Sequence, residues 1–424
     1  MPLFLSIVYL LIAVYGTKRL SNSHTNFGTF SIFSIFAFVY YVTIPLELYL
    51  TNNVKIYKGS IIDYSDQIFI LTLSILALIG FYYGIKISKF SPISRTPSSE
   101  NLIKKWKGGW FLIIVFPLLI LTFFNDEIAL SGTYVGNYTT IYNNPIYSLL
   151  LEYTYISISV FNGILILKNK RIKIINLFIC FVIVFWGIYS SNKDPIVISL
   201  APFLLYFTFK PPKKAYLFLF YFLILVLFIV CFLMLFTVFR KELNFSYDVI
   251  ESIINEFGIF RYTDPAGPMH VFSELVINND NFEFQLGKTY LSFFYIWIPK
   301  FIWPGRWLDP AQEFAQNNIT NWISGQGMGY SLLGESYLNF GFFGAFIQYF
   351  IIGYLWGKIW NFIKNRFIKI NYNLWLSIYY VFGVYILLVM HRAFTSAIFK
   401  QLILIVIPLT IISVFFDKIV VRLK

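Results

Sequence analysis

Apolar residues fill this chain in blocks of bilayer length, separated by short polar segments. The blocks cover 2–16, 27–50, 68–88, 110–124, 147–167, 174–189, 196–209, 215–239, 336–360, 372–390 and 396–416. A membrane-crossing helix needs roughly 20 mostly apolar residues, so the pattern predicts about eleven spans, of which the first, fourth, sixth and seventh are short. The first block has neither a positively charged leader nor a small-residue cleavage site and reads as a retained span. One interruption is large. Residues 240–335 are too long for a structureless connection and predict a folded extramembrane segment. The expected organisation is all-α: a bundle over 1–239, a helical loop over 240–335, and a second bundle over 336–424.

Composition sharpens this. Hydrophobic types make up 58% and charged types only 12% of 424 residues, with 49 Phe and 31 Tyr. A soluble domain carries about 25% charged residues, so an ordinary cytosolic enzyme and a disordered tail are both excluded. Cys180 and Cys231 lie inside apolar runs, which excludes a disulfide scaffold. The net charge of +13 suggests nucleic acid until its placement is examined. Loops 17–26, 89–109, 168–173, 210–214, 361–371 and the tail 417–424 hold twenty of the 33 basic residues, with Glu100 and Asp417 as their acids. That bias marks the cytoplasmic side, turns the N-terminus outward and the C-terminus inward, and makes the positive charge topological.

The loop 240–335 therefore faces out, and it carries helical signals. Residues 246–258 place Val249, Ile250, Ile253, Ile254 and Phe257 on one helical face, with Asp248, Glu251, Asn255 and Glu256 elsewhere. A second helix is expected over 265–278, with Asp264 as N-cap and Pro265 in the first position. There Met269, Phe272, Leu275 and Val276 share a face, and His270 and Glu274 lie together on the other, one turn apart. The remainder, 287–341, is rich in aromatics, Pro and Gly and suits a segment folded over the membrane mouth.

Ionisable groups near spans are candidates for function, because burying one in hydrocarbon costs roughly 2.5–3.5 kcal/mol. Glu47, Lys193 with Asp194, Arg240 with Lys241, Glu335, and His391 with Arg392 all fall at the outer ends of spans, and Glu152 and Lys400 in the outer halves. This common depth predicts an outward-facing polar cavity. Arg392 stands out, since Arg is seldom placed at an outer helix end unless it holds an anion. Arg240, Arg261, Arg306 and Arg392 form a set suited to gripping a diphosphate. The plainer readings are that Lys193 and Arg240 snorkel to headgroups, that Glu47 is interfacial, that Glu152 and Lys400 pair only to fix packing, and that some arginines merely tie the loop to the bundle. Asp63 and Asp66 match no metal spacing, and no nucleotide or hydrolase motif occurs.

The end of the loop carries a resemblance. Pro299-Lys300, Trp303-Pro304, the Gly-rich run to Gly334-Glu335-Ser336-Tyr337, and Asn339-Phe340-Gly341, set before the last three spans, are similar to the bacterial O-antigen and capsule repeat-unit polymerases of the Wzy type. The resemblance implies a fold like the GT-C-type polymerases and ligases, in the bacterial inner membrane. It implies transfer of a growing glycan from undecaprenyl diphosphate to a sugar hydroxyl of an incoming lipid-linked repeat unit, on the periplasmic face, without metal, nucleotide or other cofactor. Arg240, Arg261, Arg306, Arg392 and Lys193 would hold the diphosphate. His270 or His391 would take the hydroxyl proton, with Glu274 orienting His270 and Glu335 as the alternative base. The Arg-x10-Gly spacing of some members is missing after Arg240, Arg261 and Arg306. Partners would be the lipid-linked oligosaccharide and membrane lipid, with a chain-length regulator left open and nucleic acid excluded. A flippase, an O-antigen ligase of the same fold, and a metal-dependent glycosyltransferase are the competing readings.

Overall fold

The computed structural model describes residues 1–20, 24–56, 60–88, 145–169, 171–189, 194–209, 258–263, 265–278, 280, 282–298, 302–319, 327–366 and 368–407, with single positions 224, 251, 254 and 255. Among these residues the fold is helical, and the extended pairing is an isolated bridge between Lys55 and Ile61. In chain order the helices are α1 (Pro2–Leu20), α2 (His24–Ala37), α3 (Thr43–Thr51), α4 (Tyr64–Ile87), α5 (Pro145–Asn169), α6 (Ile174–Tyr189), α7 (Asp194–Phe209), α8 (Ala266–Phe272), α9 (Pro310–Asn318), α10 (Leu332–Arg366), α11 (Ile368–Val389) and α12 (Thr395–Gln401). A π-helical turn at Phe38–Val42 joins α2 to α3, and another follows α12. Among the described residues, four stretches are long and apolar enough to cross a membrane: Pro2–Leu20, Thr29–Thr51, Tyr64–Ile87 and Leu332–Phe362. The apolar blocks 110–124 and 215–239, and most of the amphipathic stretch 246–258, lie outside the described residues.

The chain forms two compact units. One comprises residues 1–91, 211–358 and 387–399; the other comprises 92–210, 359–386 and 400–424. In the first unit α1, α2 and α4 pack together, and α4 meets α10 almost backbone to backbone. A Cβ at Gly80 or Gly84 would overlap the carbonyls of Phe346 or Phe350, and one at Gly353 would overlap that of Phe81. Small residues permit this approach, which dispersion rewards in a setting where lipid removes the hydrophobic drive between helices. Phe33 stacks on Phe81 at 4.0 Å beside the crossing. Asp63 and Asp66 serve the start of α4 as a capping box, the Asp66 carboxylate accepting from the Asp63 N–H at 2.9 Å.

Helix α10 is broken where the motif Asn339-Phe340-Gly341 stands. Phe340 leaves helical geometry, and Gly341 adopts φ +65°, ψ −151°, open in practice to glycine alone. The break frees the Leu338 carbonyl, which accepts from the Gln285 N–H of the loop at 2.9 Å. A carbonyl freed inside an apolar helix needs a partner from the protein, and here the loop supplies it.

In the second unit α5, α6 and α7 pack on one another. Asn176 Nδ2 donates to Asn162 Oδ1 at 2.8 Å and Asn162 Nδ2 to the Asn176 main-chain carbonyl at 3.1 Å, Ser159 donates to the Ile198 carbonyl, and Ser377 to that of Val160. These buried polar contacts fix helix register.

The segment between Val271 and Tyr330 builds a small core with the turn after α11. Val271, Ile296, Phe314, Ala315, Met328 and Tyr330 close around Phe394, drawing segments near 271, 296, 314 and 330 onto the turn between α11 and α12.

Candidate functional site

Three docking points hold the loop to the helices, and the predicted site residues are distributed among them. The first lies at the end of α3. The chain turns at Gly258, with φ +70°, where a Cβ would collide with the Glu47 carboxylate. The next three N–H groups converge on that carboxylate: Ile259 at 2.7 Å, Phe260 at 3.1 Å and Arg261 at 3.1 Å. The Arg261 side chain, 2% exposed, folds back so that Nε lies 3.6 Å from Glu47 Oε2 and Nη1 donates to the Lys55 carbonyl at 3.0 Å. Burial lowers the guanidinium pKa, and Glu47 partly offsets this. Arg261 is thus committed to a tether, and Glu47 is its counterion.

The second point lies one helix later. Helix α8 begins after Pro265, and Asp264, expected as its cap, is outside the described residues. After Phe272 it widens into a π-helical turn, Ser273–Ile277, a geometry common at functional sites. Met269 and Phe272 are buried, while His270 and Glu274 are half-buried. The two polar side chains meet at one hydroxyl. Ser60 Oγ, in the hairpin between α3 and α4, hydrogen-bonds His270 Nδ1 and donates to Glu274 Oε1 at 2.9 Å. Asn278 Nδ2 reaches the same carboxylate oxygen at 3.4 Å, and the His270 ring sits edge-on to Phe314. Ser60 carries no motif, and its partners lie more than 200 positions away, so sequence gave no signal for it.

The third point is Glu335, fully buried in the first turn of α10. Its Oε2 accepts from the Thr395 N–H and hydroxyl, both at 2.7 Å, and its Oε1 from Thr289 Oγ1 at 2.9 Å. Asn339 donates to Thr289 Oγ1 at 2.7 Å and accepts from the Gly287 N–H at 2.8 Å. Gln348 joins Thr395 to the Tyr290 hydroxyl, and Ser292 hydrogen-bonds Ser396. Of the residues that carry the family resemblance, Glu335 and Asn339 clamp the loop to α10 and α12. Glu335, considered above as a base, here has its oxygens occupied by three donors.

His391 and Arg392 occupy the turn after α11. This turn is pinned to the loop by the Tyr330 N–H on the Arg392 carbonyl at 3.2 Å and the Leu332 N–H on that of Met390 at 3.1 Å. His391 is fully buried among Phe33, Tyr40 and Tyr41, and among the described residues neither ring nitrogen has a hydrogen-bond partner. An imidazolium there would lack both counterion and acceptor, so the surroundings hold the neutral ring. Arg392 is half-buried beside it. Arg306 spends Nη1 on the carbonyls of Tyr295 and Ile296, at 3.2 and 2.7 Å, and burial lowers its pKa while Asp309 opposes that. Arg240 and Lys193 lie outside the described residues.

Of the predicted arginines, Arg261 and Arg306 are seen with partners of their own. Arg261 has taken the Glu47 carboxylate and the Lys55 carbonyl at the end of α3 and beyond it, and Arg306 two carbonyls of the loop itself, since a guanidinium withdrawn from water must satisfy its donors nearby. A narrow pocket lined by Tyr41, Ile70, Pro268, Met269, Phe272, Ser331 and Leu333 is mostly apolar and includes none of them. What the fold does join, through the loop core, are Val271, next to His270, and Phe394, two residues past Arg392. On the loop surface Phe294, Trp297, Ile302, Trp303 and Trp307 are exposed, the aromatic composition of a membrane interface. Among the described residues no group of three His, Cys, Asp or Glu side chains gathers as a metal site would require.

A family profile described as O-antigen polysaccharide polymerase Wzy matches residues 2–422. No curated protein and no solved structure matches the chain.

Proposed function

From the premise that this chain belongs to the O-antigen polysaccharide polymerase Wzy family, with the glycosyltransferase-type activity in a multi-pass membrane protein that membership brings, we propose a specific reaction. The growing glycan on undecaprenyl diphosphate is transferred to a sugar hydroxyl of an incoming lipid-linked repeat unit, on the periplasmic face and without a metal ion. The enzyme has about eleven spans in a GT-C-like arrangement, its N-terminus outside and its C-terminus in the cytoplasm. The outer loop rests its aromatic surface in the headgroup layer and presents His270 as the base that takes the acceptor proton. Arg392, with Arg240 and Lys193, holds the diphosphate, while Arg306 braces the loop. Glu335 and His391 maintain the frame around them.

The observation that carries this reading is the His270–Ser60–Glu274 group, a histidine held by a buried hydroxyl and a carboxylate on a loop anchored to the bundle. Diphosphate is already a good leaving group, so the reaction asks the protein for positioning, charge neutralisation and one proton acceptor. The test is deletion of the gene in the native host, followed by gel display of surface glycan. A surviving single repeat unit with no ladder supports the polymerase. Loss of all surface glycan favours a flippase or a ligase. Complementation with His270→Ala or Arg392→Ala is expected to restore the protein to the membrane without long chains. Polymerisation by purified protein from a defined lipid-linked repeat unit should persist in EDTA; its loss there would favour the metal-dependent reading.

A further inference from the structure

The contacts at Ser60 constrain where the protons lie. A serine hydroxyl has one proton, and an ionised carboxylate can only accept. With that proton directed to Glu274 Oε1 at 2.9 Å, Ser60 Oγ can meet His270 only as an acceptor, so Nδ1 must carry hydrogen. The imidazole lone pair then sits on Nε2. Ser60 is 2% exposed, and its backbone is fixed by the Ile56 N–H on its carbonyl at 3.1 Å, so competing water is excluded and the hydroxyl is well placed. Glu274 lies in the widened turn Ser273–Ile277 and reaches this hydroxyl from there.

We propose that Ser60 is a positioning residue that relays the Glu274 carboxylate to His270 and fixes the imidazole with hydrogen on Nδ1 and the basic lone pair on Nε2. This rests on the polymerase reading and assigns the atom that acts in it. The acceptor hydroxyl gives its proton to Nε2 as its oxygen bonds to the donor's anomeric carbon. The bond from that carbon to the diphosphate oxygen breaks, and its electron pair leaves with the diphosphate. The imidazolium is stabilised through Ser60 by Glu274 and afterwards passes its proton to water. Holding a base in its productive tautomer through an outer partner is how oriented histidines are kept active.

The chain has three histidines, so 15N-histidine labelling in lipid nanodiscs gives a spectrum simple enough to assign with His24→Gln and His391→Phe variants. The expected result is His270 with hydrogen on Nδ1 in the unmodified protein. In Ser60→Ala the population should move to hydrogen on Nε2, and in Ser60→Thr, which keeps the hydroxyl, it should stay. In a purified assay with lipid-linked repeat units, Ser60→Ala should lower kcat about 10- to 100-fold at unchanged KM, with Ser60→Thr recovering most of the rate. Hydrogen on Nε2 in the unmodified protein overturns the proposal without need of any variant. An unmoved tautomer or an unchanged kcat in Ser60→Ala also overturns it. If the unmodified protein makes no polymer, the polymerase reading has failed and the proton-transfer role falls with it, while the tautomer spectrum still reports separately on the relay.

Discussion

Replacing Glu47 by Ala removes the acceptor of three N–H groups and the counterion of a guanidinium that is 2% exposed. Breaking a buried ion pair by deleting one partner costs about 3–5 kcal/mol, because the other charge stays buried. The Glu47 side chain is 14% exposed, so water partly compensates and the lower end applies, about 3 kcal/mol. At 1.4 kcal/mol per tenfold, the undocked population of the segment around 258–263 should rise roughly 100-fold. Chymotrypsin reads this at Phe260 and Tyr262, since cleavage tracks the open population when closing is fast. Arg261→Met should open the same segment less, because the carboxylate keeps its three N–H donors. The double variant should cost less than the sum of the two. Two outcomes refute the reasoning. One is Glu47→Ala protein as protected as the unmodified protein. The other is Arg261→Met protein with full protection and shortened glycan, the signature of a guanidinium that holds ligand instead of loop.

Glu335→Ala leaves the Thr395 N–H, the Thr395 hydroxyl and the Thr289 hydroxyl without their acceptor in a fully buried site, at a cost of about 3 kcal/mol or more. Glu335→Gln keeps one oxygen for Thr395 but turns an amide toward Thr289 Oγ1, which already accepts from Asn339, so about 1–2 kcal/mol is expected. Thermal unfolding in detergent should rank Ala below Gln, and equal loss would contradict the hydrogen-bond geometry. His391→Phe should leave the glycan ladder unchanged and the melting temperature equal or higher, because it removes two unpartnered polar atoms from an aromatic cage. Loss of long chains with normal melting would restore His391 to the chemistry.

The helical segments were legible before any coordinates, because hydropathy over a bilayer-length window is a local property that bilayer thickness converts into element length. That is why α4, α6 and α10 fall close to the blocks at 68–88, 174–189 and 336–360. The association of His270 with Glu274 was legible for the same reason, a four-residue spacing within one helix. Partner choice was not. Glu47 meets Arg261 across more than 200 positions, Ser60 meets His270 across 210, and Thr395 meets Glu335 across 60. Nothing in a linear pattern distinguishes a guanidinium that will find a carboxylate of the same protein from one left for a ligand. Folding decides it, because each polar group taken out of water accepts the nearest partner the packed backbone offers. The chain's own order thus set which segments are apolar helices of bilayer length, while three-dimensional packing set which charges became anchors and which histidine acquired a hydroxyl and a carboxylate beside it.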